Sequence, residues 1–143
     1  MCYCAYIGTT EEQPLGQFVV NETDIYFEIL SEDELAGIRP KMQNPFLYFV
    51  GSDTGCSCGL AYNSEEFNEP DELDNKKSPQ KLIDFIKERT QLEDLELYCC
   101  WVGDWKDPIE ESIEIDINDI SLDKNYFGMV EHRYIKFKQH IFV

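Results

Sequence analysis

No stretch of this chain approaches the ~20 consecutive apolar residues of a membrane-crossing helix, and no basic segment followed by an apolar one marks a secretory leader. A cytoplasmic chain is therefore expected, with its thiols reduced rather than paired. Basic residues are scarce. Twelve Lys and Arg stand against twenty-nine Asp and Glu, for a formal net charge of −17. A field of that sign repels phosphate backbones and anionic lipid, so neither nucleic acid nor a membrane is expected as a partner. Such acidity keeps a surface solvated. Its sharper consequence would be a basic protein partner.

Histidines number two, and there is no His-Glu-x-x-His, Gly-x-Ser-x-Gly or glycine-rich phosphate-loop pattern. No catalytic residue is assigned, no cofactor is named by any motif, and whether the chain is an enzyme stays open. Asp116-Ile117-Asn118 opens like a calcium loop, but the glycine and terminal glutamate that such a loop needs are missing.

What is present is a foldable chain: 143 residues, 43% apolar and 29% charged, which suits one globular domain spanning 1–143. Residues 2–8 alternate as a strand, with Cys2, Cys4 and Tyr6 on one face and Tyr3, Ala5 and Ile7 on the other. Further strands are expected at 25–30, 46–50, 95–102, 113–117 and 129–137, with a short return strand at 60–62. Ser31 and Glu34 frame a capping box around one helical turn. The clearest helix is expected over about 79–91, with Ser78 as N-cap, Pro79 at N1, and an apolar stripe of Leu82, Ile83, Phe85 and Ile86 that Leu92 continues. The acid-rich run 64–77 is expected as an exposed loop. The absence of strand–helix–strand alternation predicts an α+β fold: a mainly antiparallel sheet of about five or six strands with one principal helix packed on it.

Cysteine is the informative residue. Six are present, in three pairs: Cys2-Tyr3-Cys4, Cys56-Ser57-Cys58 and Cys99-Cys100. Thiolates bind soft metal ions, and the two Cys-x-Cys pairs offer four ligands, Cys2, Cys4, Cys56 and Cys58. A common zinc knuckle has two to four residues between its cysteines. Alternate residues of a straight strand lie ~6.6–6.8 Å apart, a poor bite for one ion. Gly51, Gly55 and Gly59 surround the second pair, so that segment can curl, whereas Cys2-Tyr3-Cys4 is expected to stay extended. The alternative is that the cysteines pack as small apolar side chains. Cys99 and Cys100 are expected on opposite faces of one strand, both buried. Trp101 and Trp105 are expected to cap a core. His132 and His140 are expected as charge partners for neighbouring acids.

Met1-Cys2-Tyr3, Gly55-Cys56-Ser57-Cys58-Gly59 and the run from Glu96 to Asp104 together resemble a family of small bacterial proteins to which no activity is assigned. The resemblance implies a bacterial cytosolic protein and directs attention to Cys2, Cys56 and Cys58 as one site. Two function classes follow. One is a metal or small-ligand site at the Cys-x-Cys motifs. The other is an acidic interaction module, antitoxin- or immunity-like, with structural cysteines.

Overall fold

The computed structural model describes residues 2–63, 65, 67–69 and 74–139. One six-stranded sheet organises them: β1 (Tyr3–Thr9), β2 (Ile25–Ile29), β3 (Phe46–Ser52), β4 (Leu95–Trp101), β5 (Glu111–Asp116) and β6 (Arg133–Lys138). The order across the sheet is β2-β3-β1-β4-β6-β5. β1 is central, as a strand apolar on both faces must be. Cys4 and Tyr6 join one buried cluster; Ala5 and Ile7 join the other. β4 divides in the same way, with Cys100 beside Cys4 and Tyr6 and Cys99 beside Ala5 and Ile7, as its alternation predicts.

The sheet is mixed rather than wholly antiparallel. β5 and β6 run parallel, with Ile113 opposite Ile135 and Ile115 opposite Phe137. Parallel neighbours cannot be joined by a tight hairpin. The connection from Ile117 to His132 crosses one sheet face instead, burying Ile117, Ile120, Leu122 and Phe127 in the larger core. Those apolar residues follow β5 without a regular period, which hides the crossover from a reading of the sequence.

Nor is there one principal helix. Two short helices cover opposite faces. α1 (Glu32–Ile38) starts at the Ser31 capping box: the Glu34 amide donates to Ser31 Oγ at 3.2 Å, and the Ser31 amide donates to Glu34 Oε1 at 3.1 Å. It runs past the single expected turn into a 3-10 turn at Arg39–Lys41, and sets Ile38 and Met42 against Cys4, Tyr6, Tyr98 and Cys100. α2 (Lys77–Arg89) lays Leu82, Ile83 and Ile86 on Ala5, Ile7, Val50 and Leu97.

Ser78 does not cap α2. A 3-10 turn at Asp74–Lys76 extends the helix N-terminally, and Ser78 is buried within its first turn. The hydroxyl donates to the Asp24 carbonyl at 2.6 Å and accepts from the Asp53 amide at 3.0 Å, so it ties the helix to two neighbouring segments. Leu92 lies beyond the helix end and is 75% exposed, outside the stripe. Residues 60–62 form no return strand, because a 3-10 turn at Ser57–Leu60 takes their place. Of the acid-rich run, Glu66, Asp71 and Glu72 lie outside the described residues, as does His140. No helix among the described residues is long and apolar enough to cross a membrane.

Candidate metal centre

β3 ends at Ser52, and the chain then tightens. Gly55 takes φ 81°, a left-handed conformation that side chains disfavour. Ser52 holds the resulting loop from two sides, its amide donating to the Cys56 carbonyl at 2.9 Å and its hydroxyl to the same oxygen at 2.5 Å. Gly59 passes so close that a Cβ there would lie 2.3 Å from Ser52 Oγ. Tyr26 closes the loop from β2, its hydroxyl donating to the Gly55 carbonyl at 2.8 Å.

The middle residue of Cys56-Ser57-Cys58 is the anchor. Ser57 is fully buried. Its hydroxyl accepts from the Ala5 amide at 2.9 Å and donates to the Val50 carbonyl at 2.5 Å. Ala5 and Val50 are the last register pair of β1 and β3, so the hydroxyl stands between two strands where they part. Beyond that point the loop runs beside β1, and the Tyr3 amide donates to Cys58 Sγ at 3.4 Å. The 3-10 turn that starts at Ser57 then bends the pair out of the extended geometry that would hold its sulfurs apart.

The result is a three-sulfur cluster. The sulfurs of Cys2, Cys56 and Cys58 all lie within 4.8 Å of one another. Cys2 and Cys58 are exposed, and Cys56 is half-buried. Cys4 does not join them: β1 stays extended, and Cys4 is buried in the smaller core. Burial above all pushes the Cys4 thiol up to about 11. Among the described residues, no fourth His, Cys, Asp or Glu completes this group.

Protons within the cluster are unequally held. Burial pushes the Cys56 thiol up, but hydrogen bonds from the Thr54 hydroxyl, the Cys58 amide and the thiols of Cys58 and Cys2 outweigh it and leave Cys56 below its ordinary value. Cys58 is pushed up, first by burial and then by its proximity to Cys56. Cys56 therefore gives up its proton more readily than Cys58 does. Cys99 and Cys100 contrast with this. Burial drives both upward, Cys100 to about 12, and neither reaches the cluster.

A pocket of about 240 Å³ adjoins the sulfurs, lined in part by Cys2, Cys4, Cys56, Glu34, Val102 and Trp105. A wider cleft of about 600 Å³ lies by Tyr26, Phe27, Lys81 and Phe85 and has no sulfur or imidazole in its lining, so volume alone does not mark the chemistry. Ser57 is the residue that a reading of the sequence misses. Its only sequence signal is a small hydroxyl between two cysteines, which does not distinguish a buried strut from an exposed linker. No family model, curated protein or solved structure matches the chain.

Proposed function

We propose that the protein binds a soft transition-metal ion through Cys2, Cys56 and Cys58, in the cytoplasm of a bacterium. The observation that carries this reading is the convergence of three sulfurs within 4.8 Å from two segments more than fifty residues apart. Zinc–sulfur bonds of ~2.3 Å put the sulfurs of a tetrahedral site about 3.8 Å apart. The exposed side chains of Cys2 and Cys58 supply the remaining contraction by rotation. Three thiolates suit Zn(II) or Cu(I), and they leave one coordination position open. A pocket lined in part by Cys2 and Cys56 adjoins the cluster, so a small ligand is the natural fourth donor. Two of the three motifs that carry the resemblance to small bacterial proteins supply the ligands.

Co(II) titration under reducing conditions tests the reading. Thiolate-to-cobalt charge transfer should appear in the near ultraviolet at one equivalent. It should vanish in Cys56→Ser and Cys58→Ser and persist in Cys4→Ser. Native mass spectrometry of protein purified from zinc-replete cells should show metal that a chelator removes and that falls by one ion in Cys56→Ser. An apo mass together with no charge-transfer band sinks the proposal.

A second reading, an acidic module for a basic protein, draws support from the edge strand β5, which presents Glu111 and Glu114 to solvent. It predicts salt-sensitive binding that is indifferent to the three cysteines.

A further inference from the structure

His132 sits at the start of β6 with φ 59°, in the left-handed region. Its backbone is held on both sides: the amide donates to the Cys99 carbonyl at 2.9 Å, and the carbonyl accepts from the Glu110 amide at 2.8 Å and the Glu111 amide at 3.3 Å. The imidazole is thus aimed by its neighbours, β4 and the segment entering β5. Its side chain is only 9% exposed.

The surroundings of that ring are acidic. Asp107 Oδ2 lies 3.6 Å from Nε2, Glu131 Oε1 lies 3.6 Å from Nδ1, and Glu110 Oε2 lies 3.7 Å from Nδ1. These separations are too long for hydrogen bonds. Nε2 is buried and has no hydrogen-bond partner among the described residues. Among those residues, Asp104, Asp107, Glu110 and Glu131 make no ion pair with Lys or Arg. One ligand atom from each of Asp104, Glu131 and His132 lies within 4.8 Å of the others. The unpartnered Nε2 faces Asp107 while Nδ1 faces Glu110 and Glu131, so carboxylates stand on both sides of the ring.

We propose that Asp104, Glu131 and His132 form a second metal site, selective for a divalent first-row ion that favours nitrogen and oxygen donors. One imidazole and two carboxylates suit Mn(II), Co(II) or Zn(II), whereas the sulfur cluster suits softer ions. Metal bonds of ~2.0–2.2 Å bring such donors to about 3 Å from one another, and the exposed Glu131 has the freedom to close on the ring. Asp107 and Glu110 flank the ring at 3.6 and 3.7 Å and would supply the outer shell of carboxylates that tunes affinity. The turn from Val102 to Asp107 connects the two sites: it carries Val102 and Trp105 at the sulfur pocket, and Asp104 and Asp107 at the histidine. This site stands independently of metal binding at the sulfurs.

Mn(II) is the probe, because it has little affinity for thiolates. Trp101 Nε1 donates to Glu131 Oε2 at 3.3 Å, so a paramagnetic ion at Glu131 should quench indole fluorescence. In ~0.15 M salt, which screens diffuse attraction to an acidic surface, the chain should bind one Mn(II) by electron paramagnetic resonance and lose indole emission in step. His132→Asn keeps a side chain that tolerates the left-handed backbone. Glu131→Gln alters only an exposed position, and so serves if His132→Asn fails to fold. Each should weaken Mn(II) at least about tenfold, while Cys56→Ser leaves it unchanged. Equal binding by wild type and Glu131→Gln, full displacement by equimolar Mg(II), or no bound Mn(II) at all would each overturn the proposal.

Discussion

Two segments share the Cys-x-Cys spacing and end differently. Cys2-Tyr3-Cys4 leads into β1 and stays extended, so Cys2 reaches the sulfur cluster and Cys4 is sealed in the core. Cys56-Ser57-Cys58 turns into a 3-10 segment, and both of its sulfurs join the cluster. Spacing does not decide the outcome. Backbone conformation does, and that is set by what the middle residue bonds to. Tyr3 pairs in a sheet and stacks edge-on against Trp101 with ring centroids 4.7 Å apart. Ser57 instead buries a hydroxyl between Ala5 and Val50.

The largest expected break in this comparison is at the ligands. Cys56→Ser and Cys58→Ser should each lower thiophilic metal affinity by about a hundredfold or more, close to 3 kcal/mol. Cys4→Ser should leave it within about twofold. Competition titration against a chromophoric chelator measures both. Ser57→Ala comes next. It strands the Ala5 amide and the Val50 carbonyl in a buried site, and should cost about 2–3 kcal/mol in urea unfolding. It should also loosen metal binding without removing a ligand.

A smaller effect separates packed from clustered sulfurs. Cys99→Ala should cost about 1 kcal/mol of stability through lost burial, and Cys58→Ala, at an exposed position, much less. Thermal melts of the metal-free proteins compare them.

The smallest effect is kinetic. Cys56 should alkylate fastest, with a rate–pH midpoint below that of an ordinary thiol, because its hydrogen-bond donors stabilise the thiolate. The sign follows: a lowered value means more thiolate at neutral pH. Cys58→Ala and Cys2→Ala together remove two of those donors and should move the midpoint upward. Cys100, pushed to about 12 and buried, should react only on unfolding. Mass-resolved alkylation across pH reads both.

Much of the sheet is legible in the chain. Alternation places Cys4 and Tyr6 opposite Ala5 and Ile7, and separates Cys99 from Cys100, because side chains of a strand must take opposite faces. The capping box at Ser31 is equally legible, being a local hydrogen-bond pattern. Ser78 misleads for the opposite reason. A serine before a proline looks like a cap, but its hydroxyl bonds Asp24 and Asp53, partners that no local rule reveals. The parallel β5–β6 pair is hidden in the same way, since strand direction depends on a long crossover rather than on either strand's own pattern.

By itself the sequence determined the acidic character, the alternating strands, and a glycine-bracketed cysteine pair free to curl. These are local properties of composition, period and backbone freedom. Only the tertiary structure decided which cysteines meet, because that depends on β1 lying beside the end of β3 and on the Ser57 hydroxyl between them. The same holds for His132, whose ring is surrounded by acids from the turn after β4, the segment entering β5 and its own neighbour Glu131. Sequence distance carries no information about those approaches; the packing of the sheet does.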